Sequence, residues 1–337
     1  MEQLSKKIKV IGFIMTCFMV FYHSGNYDNS LAINSFDSWC NTAFNYIFST
    51  MGGVVMSWFF TVTGFLLFYG LSFATYAGKI KRRCFSLLIP YIIWQFLIAF
   101  LNMSFSRSQY SIKGFLYQNF ALVQWPCDGP LWYMYAVFLL AILSVILIPC
   151  FKNRNVGFIV IIILIIFIQY RENITNNMFQ AIINHGYIPN ILFYLPAYLV
   201  GTFYGRFYEE LRNEEALRYV FCILFASYLL YGVNWGSIAL LMLPILGLYL
   251  IPNPRISTSL SIFKLTFLIY ALHLPVISLL RPSLLNLISL FMNSAFLINA
   301  LSHIFILLAD IVISAIIYFC LKRICPLLLT LLTGGRI

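Results

Sequence analysis

A histidine ends the first long apolar run of the chain. The run from Ile8 to Tyr22 contains one charged residue, Lys9, and His23 follows it directly. An ionisable side chain at membrane depth is costly unless it has a partner or a role, and imidazole is the side chain most often used as a general base near neutral pH. We therefore interpret His23 as a candidate catalytic residue, with a position at the lipid headgroups as the alternative.

Two further ionisable side chains fall inside apolar runs. His273 lies in the run 267–275, and Asp310 is the single acid that we place within the hydrocarbon. Helical rise puts His23 roughly 21 Å, His273 roughly 14 Å and Asp310 roughly 18 Å from the inner ends of their helices. We expect these three side chains to share a neighbourhood, in which His273 and Asp310 orient His23 or stabilise its charge.

Four cations precede the third apolar run. Lys79, Lys81, Arg82 and Arg83 fall within five residues. Arginine can donate two parallel hydrogen bonds to phosphate oxygens and lysine adds a point charge, so the cluster is typical of a phosphate site. A topology anchor, or a contact with anionic lipid, is the alternative interpretation.

Composition places the chain among polytopic integral membrane proteins. Hydrophobic residues make up 62% and charged residues 9% of 337 positions, whereas soluble domains have about 25% charged residues. Because helices satisfy their own backbone hydrogen bonds in lipid, we predict an all-α bundle. We expect one domain over residues 1–337 and no separate soluble domain. The net charge is +11. Nucleic-acid binding would require basic residues clustered on the face of a soluble domain, and we predict no such domain.

Apolar runs of about 17–25 residues indicate membrane-spanning helices. With the N-terminus inside, 17 of the 21 Lys and Arg residues fall on the inner side and four on the outer side, as the positive-inside rule requires. We therefore predict a multi-pass protein of the cell membrane with both termini inside. The ten predicted spans are 8–25, 51–72, 84–103, 131–150, 156–170, 188–205, 217–233, 237–252, 265–281 and 303–321.

The remaining polar features have ordinary structural explanations. The eight cysteines contain no C-x-x-C pair, and we predict no metal site; Cys40 and Cys127 are the one pair that could form a disulfide. Thr63 next to Gly64 suits close helix packing, and Asp128 before Gly-Pro predicts a turn and a helix start. Aromatic and amide side chains suit either a carbohydrate surface or an interfacial belt in the predicted outer segments 26–50, 104–130, 171–187 and 282–302.

Several short motifs occur in a characteristic order. They are Tyr22-His23-Ser24; 59–66 (FFTVTGFL); Lys81-Arg82-Arg83 with Pro90-Tyr91 and Trp94; Leu131-Trp132-Tyr133; 269–275 (IYALHLP); and Lys322-Arg323 with Pro326 ahead of 333–336. In this order, over nearly the full length, the chain resembles the acyltransferase-3 family of membrane O-acyltransferases. Members of that family typically have ten membrane helices, the number that the charge distribution predicts here.

The resemblance implies transfer of an acetyl group from cytoplasmic acetyl-CoA to a sugar hydroxyl, in a surface polysaccharide or its lipid-linked precursor. His23 would be the general base, and Lys81, Arg82 and Arg83 would bind the phosphates of CoA. The implied partners are acetyl-CoA, the sugar acceptor, membrane lipids and glycan-synthesis proteins. The expected substrate cavity is lined by Tyr22, Thr63, Trp132, Tyr133 and Tyr270.

One position departs from the family pattern. The family places an arginine eleven residues before the histidine, and this chain has Gly12 there. Lys9 lies one helical turn away and would take over the contact with CoA. A flippase-like transporter of lipid-linked sugars and a catalytically inactive partner of a glycan-synthesis complex are the alternative functions.

Overall fold

The structure, a computed structural model, is helical throughout the part of the chain that it describes. It describes residues 2–25, 32–104, 111–122, 124–170, 185–211 and 261–336, with a few positions between 219 and 257. The α-helices in these ranges are α1 (Glu2–His23), α2 (Ser35–Phe68), α3 (Phe73–Arg83), α4 (Ile89–Ser104), α5 (Ile112–Phe120), α6 (Trp132–Leu143), α7 (Arg154–Tyr170), α8 (Ile188–Arg206), α9 (Thr266–Ser289), α10 (Ala295–Ile324) and α11 (Pro326–Thr333).

Five helical segments in the described ranges are long and apolar enough to cross a membrane. They confirm the all-α membrane class, whereas the ten-span count and the inward orientation of both termini stay predictions. The predicted spans 217–233 and 237–252 lie almost wholly outside the described residues. The five segments are Ser35–Phe68, Phe73–Ser104, Gly129–Leu147, Thr266–Ser289 and Ala295–Ile324.

Helix α2 begins well before the predicted span 51–72, within the predicted outer segment 26–50. The helix begins at Ser35 and continues for 34 residues, or about 51 Å, which is longer than the hydrocarbon is thick. Its first half is too polar to register as an apolar run, yet a helix satisfies its own backbone hydrogen bonds in water and in lipid. Hydropathy alone therefore identified only the second half of α2, as the predicted span 51–72.

The described chain forms two compact units, and the boundary between them falls inside α2. The first unit comprises residues 1–55 and 253–337, and the second comprises residues 56–252. The expectation of a single domain stays a prediction. The described cysteines are free thiols, Cys40 and Cys127 included.

In the first unit, α1, α9 and α10 pack against one another, and the start of α10 is capped from α2. The Asp37 carboxylate accepts hydrogen bonds from the backbone N–H groups of Ala295 (2.9 Å) and Phe296 (3.2 Å) and from the Ser294 hydroxyl. An acidic side chain here satisfies N–H groups that have no partner within the helix. Asp37 thereby attaches the first turn of α2 to the first turn of α10.

One turn further along α10, a buried amide cluster repeats this attachment. The Asn299 side-chain amide donates to Oδ1 of Asn41 (2.8 Å) and to Oδ1 of Asn45 (2.6 Å). Amide side chains commonly join helices in membranes, where a polar group without a partner is costly. The first half of α2 is therefore fixed along the N-terminal part of α10.

In the second unit, α2 and α8 are in backbone contact through glycines. A Cβ added at Gly201 would lie on the carbonyl oxygen of Thr61, and one added at Gly205 on that of Phe65, both far inside van der Waals contact. Gly64 faces the backbone of α8 in the same way. The glycines four residues apart on α8 are the small-residue pattern that lets membrane helices approach closely.

The segment before α6 is held by two buried amide side chains. Gln95 accepts from the backbone N–H of Asp128 (2.7 Å) and donates to its carbonyl (3.3 Å), while Asn119 accepts from the N–H of Cys127 (3.0 Å). The Asp128 side chain is 3% exposed, and its Oδ2 has no partner among the described residues. The Asp128 side chain makes no capping bond to the short 3-10 helix Gly129–Leu131 that follows it, so a turn signal alone does not explain it.

Gly201→Ala should destabilise the protein by about 1–3 kcal/mol, because the added methyl group forces α2 and α8 apart. Thermal unfolding in detergent measures this. Gly78→Ala is the matched control, since a Cβ at Gly78 meets nothing within 4 Å and alanine favours the helix. Equal melting temperatures for the two variants would contradict the contact.

Asp128→Asn should flatten the pH dependence of stability. Asp128 lies just outside the candidate span that begins at Gly129, and burial raises its pKa from 3.8 to about 8. At a pH between these two pKa values, the Asp128 carboxyl is ionised in the unfolded state and protonated in the folded state. The free energy of unfolding therefore falls as pH rises, by at most about 1.4 kcal/mol per pH unit, and the contribution vanishes at lower pH.

Denaturation of the wild type and of Asp128→Asn at several pH values between about 4 and 8 tests this. The wild-type midpoint should fall toward the upper end of the range, and the asparagine variant should lack that component. Parallel pH profiles for the two proteins would show that the carboxyl ionises as freely in the folded state as in the unfolded state.

Candidate functional site

The end of α1 presents His23 at a sharp turn of the chain. The backbone N–H and the hydroxyl of Ser24 both donate to the Val20 carbonyl, at 2.9 and 2.8 Å, and so satisfy an acceptor of the last helical turn. Gly25 follows with φ +77°, a left-handed conformation that ends helices and suits glycine. His23 is therefore the last helical residue, at a fixed end of α1.

His23 and His273 form a pair of imidazoles within the first unit. Their ring centroids are 5.0 Å apart, with an interplanar angle of 49°. The Tyr22 ring stands edge-on to His23 at 4.8 Å. Two of the three side chains that the sequence placed at a similar depth are thus neighbours, on helices α1 and α9.

The hydrogen bonding of His273 defines which of its nitrogens can act as a base. Nδ1 lies 2.7 Å from the Tyr270 carbonyl oxygen, and a carbonyl only accepts, so Nδ1 carries the proton. Nε2 is buried and has no partner among the described residues. A neutral His273 therefore presents an unused lone pair beside His23, where it can accept a hydrogen bond or a proton.

Two aromatic residues predicted to line the cavity surround this pair. Tyr270 stacks on His273 with centroids 6.1 Å apart, and it is 8% exposed. Tyr22 is 41% exposed, and its ring lies against α2 where Gly52 leaves room; a Cβ there would be 2.6 Å from the ring. The imidazole pair thus has a buried aromatic wall on α9 and an accessible one on α1.

His303 was not considered as a site residue, and the structure places it next to the end of α1. Its Nδ1 lies 2.8 Å from the Asn299 carbonyl oxygen, and its ring packs against that of Phe21, with centroids 5.9 Å apart. The Phe44 ring packs edge-on against it at 5.1 Å. A histidine at the first residue of the predicted span 303–321 was the available signal. Its ring contact with Phe21 supports the helical turn that carries His23.

Asp310 lies elsewhere on α10. Its Oδ1 accepts a hydrogen bond from Ser314 at 3.4 Å, and Cys17 of α1 is nearby. In the described part of the chain, no hydrogen bond or ion pair joins Asp310 to His23 or His273. The two histidines are therefore neighbours, as expected, and the role assigned to Asp310 stays a prediction.

The cations of α1 differ from the predicted arrangement. Lys9 is exposed, whereas Lys7 is 7% exposed and points into the first unit. A Cβ added at Gly12, the position of the family arginine, would meet nothing within 4 Å. The role assigned to Lys9 stays a prediction, and the structure adds Lys7 as an inward-pointing cation.

The basic cluster of the second unit divides into residues with different surroundings. The Lys79 ammonium donates to the carbonyls of Leu67 (2.8 Å) and Tyr69, and so caps the end of α2. Lys81 and Arg82 are exposed on α3. Of the four clustered cations, Lys79 therefore caps a helix, and Lys81 and Arg82 are exposed charges.

Arg83 points inward from the end of α3. Its guanidinium donates to the Thr63 carbonyl at 3.3 Å and lies close to Tyr133 and Tyr198. The Tyr133 hydroxyl in turn bonds the Thr63 hydroxyl and donates to a carbonyl of α2 at 2.8 Å. A π-helical turn, Cys84–Leu88, follows directly; such turns are frequent at functional sites.

Trp132 and Tyr133 are adjacent in sequence and serve different clusters. Tyr133 belongs with Thr63 and Arg83, whereas Trp132 is 7% exposed in an aromatic group. Its ring lies 6.0 Å from Trp125 and 5.9 Å from Tyr187. Trp132 therefore has the surroundings of a packing residue, and Tyr133 those of a polar site.

Comparison with known proteins identifies the family. A family model described as an acyltransferase domain matches residues 8–320. The chain belongs to the acyltransferase-3 family. Searches among curated proteins and among solved structures found no match. No three His, Cys, Asp or Glu side chains are grouped as metal ligands in the described ranges.

Proposed function

We propose that this acyltransferase moves an acetyl group from cytoplasmic acetyl-CoA to a sugar hydroxyl, in a surface polysaccharide or its lipid-linked precursor. Membership of the family supports acyl transfer as the reaction class. The single observation that carries the proposal is the imidazole pair at the end of α1, with His273 held in one tautomer beside His23. An alcohol attacks a thioester poorly until a base removes its proton, and this pair supplies that base.

The proposed chemistry needs little beyond these two rings. His23 removes the proton of the acceptor hydroxyl as the oxygen attacks the thioester carbon; the new C–O bond forms, the C–S bond breaks and CoA leaves as the thiolate. His273 orients His23 and stabilises its charged form through the Nε2 lone pair. This arrangement follows the general pattern in which a base is held by a second group.

The donor is proposed to bind in the second unit. Lys81 and Arg82 are exposed, so both can bind the phosphate groups of CoA. The lysine ammonium acts as a point charge, and the arginine guanidinium can donate two parallel hydrogen bonds. Arg83 is half-buried, and with the buried hydroxyls of Thr63 and Tyr133 it forms a polar group that suits the carbonyl and amide groups further along the donor. The three residues thus receive separate roles.

His23→Ala should reduce transfer by at least about 100-fold, because the general base is lost. Radiolabelled acetyl-CoA is supplied to inverted membrane vesicles, and label in the membrane glycan is counted. His185→Ala is the matched control, since His185 is exposed and belongs to the second unit. Undiminished transfer by His23→Ala would remove the catalytic assignment.

Two substitutions of His273 separate the roles of its two ring nitrogens in the same assay. The side-chain amide of asparagine can take the place of Nδ1, whereas the longer side chain of glutamine puts its amide at the position of Nε2. Since the proposal assigns the function to Nε2, we expect His273→Gln to keep more activity than His273→Asn.

Arg82→Ala should raise the KM for acetyl-CoA about tenfold with little change in kcat, since a charge-assisted bond to phosphate is lost. Arg83→Ala should lower kcat and thermal stability as well, because it also leaves the Thr63 carbonyl without its partner. Arg323→Ala, an exposed arginine at the end of α10, controls for net charge. An unchanged KM in Arg82→Ala would assign that residue to lipid contact.

A further inference from the structure

The first half of α2 has its polar and apolar faces reversed relative to a helix in water. Asp37 and Asn41 are buried, at 6% and 0% exposed, and both bond to α10. A surface helix of a soluble protein buries its apolar face and exposes its polar one. The reversed arrangement is typical of a helix that contacts lipid, where polar groups need partners within the protein. The large side chains on the exposed face of this half are Phe36, Trp39, Tyr46 and Ile47.

Helix α1 ends short of the level at which α2 and α10 begin. Phe21 contacts His303, and four residues earlier Cys17 lies near Asp310. The two helices therefore run antiparallel, and α1 points toward the beginning of α10. From His303 back to its beginning, α10 extends eight residues, roughly 12 Å. Because Asp37 bonds the first turn of α10, α2 begins at the same level, and the end of α1 is recessed by roughly 10 Å.

A recess of this depth exceeds the thickness of the lipid headgroup layer, which adds roughly 5–8 Å on each side of the hydrocarbon. Both α2 and α10 are candidate membrane spans, and the exposed aromatic side chains at the beginning of α2 indicate that lipid reaches this level. An acceptor hydroxyl must therefore enter the membrane to meet His23. A sugar carried by a lipid is already held near this depth, whereas a polysaccharide chain in water is not.

Arg281 of α9 lies beside the recessed end of α1. Helix α9 continues past His273 for eight residues, roughly 12 Å, to Arg281. The guanidinium packs on Gly25, with Nη2 3.5 Å from the position that a Cβ would occupy, and Gly25 follows His23 by two residues. Arg281 also lies close to His303. The guanidinium is therefore located at the end of α1, within the first unit.

An arginine in a candidate membrane span indicates a functional site. Charged side chains within spans are rare because they are costly in lipid, and Arg281 is half-buried. A guanidinium can donate two parallel hydrogen bonds to a phosphate group. In a sugar that a lipid carries through a phosphate, this group lies between the lipid and the sugar. It would therefore lie at the depth at which Arg281 stands.

We propose that the acceptor is a lipid-linked sugar phosphate, bound with its phosphate at Arg281 and its sugar hydroxyl at His23. The inference rests on the proposed function and reduces its two acceptor classes to one. The roughly 12 Å along α9 between His273 and Arg281 suits a short saccharide between phosphate and hydroxyl. The phosphate link stays intact: the acetyl group passes to the hydroxyl oxygen, and the hydroxyl proton passes through His23 to the thiolate of CoA.

A brief pulse of radiolabelled acetyl-CoA, given to inverted membrane vesicles, tests the acceptor class. Label should appear first in material that chloroform and methanol extract. Mild acid, which cleaves glycosyl phosphates and spares acetyl esters, should then move the label into water. Label that appears first in unextracted polymer, or that stays with the lipid after acid, overturns the proposal. Absence of label from every fraction would instead refute the proposed function, and the binding measurement would still decide whether the site exists.

That measurement tests Arg281 without any transfer. Native mass spectrometry of the full-length protein in uncharged detergent compares a polyprenyl phosphate with the uncharged polyprenol and with phosphatidylglycerol. The wild type should bind the polyprenyl phosphate at least about tenfold more tightly than either, because the guanidinium makes charge-assisted hydrogen bonds to it. Arg281→Gln should lose this preference. Arg281→Lys should keep part of it, since lysine retains the charge without the fork.

Arg323→Gln is the matched control in the same unit. Arg323 is exposed near the other end of α10, so its loss should leave the preference unchanged. A merely structural role of Arg281 would lower the melting temperature of Arg281→Gln and leave the preference intact. That result overturns the site, as does equally tight binding of phosphatidylglycerol, which would assign Arg281 to ordinary membrane lipid.

Tryptophan quenching tests the depth independently of ligand and activity. The fluorescence of Trp39 is the difference between the wild type and Trp39→Phe, both in lipid nanodiscs. Lipids brominated near the headgroup end of their acyl chains should quench this component more strongly than iodide in the surrounding water. The reverse result would place the beginning of α2 in water, and would overturn the recess within the membrane on which the acceptor class depends.

Discussion

The structure depends on one constraint: a polar group removed from water must find its partner within the protein. Side chains meet this requirement at helix ends throughout the described chain. Asp37 accepts from the first N–H groups of α10, and Lys79 donates to the last carbonyls of α2. Arg206 bonds the carbonyls of Phe151 (3.2 Å) and Leu71 (3.3 Å). The same kind of bond, from Ser24 to the Val20 carbonyl, ends α1 at His23.

Features that depend on position along a helix could be predicted from the sequence. Charge and hydropathy indicated an all-α membrane protein, and helical rise placed His23 and His273 at depths that allow contact. Depth gives no information on direction around the helix axis, so it could not predict that Asp310 accepts a hydrogen bond from Ser314. The angular position of a side chain depends on which helices pack together, and one sequence does not show this.

Adjacent residues set a second limit, for a geometric reason. Consecutive side chains on a helix point about 100° apart, so a run of cations in the sequence does not show which of them face the same way. Lys79 turns back to α2, Arg82 faces outward and Arg83 faces inward. Contacts between residues far apart in the sequence could not be predicted either. The Gln95 side chain bonds the backbone of Asp128, 33 positions away, and no local sequence pattern predicts this contact.

The open space beside Gly12 has a consequence for how this chain differs from its family. Packing does not exclude a larger residue there, since a Cβ would meet nothing within 4 Å, and most residues favour a helix interior over glycine. Glycine is thus neither required by the fold nor preferred by it. Packing therefore gives no reason for the difference, and a single substitution could reverse it without rebuilding the helix around it.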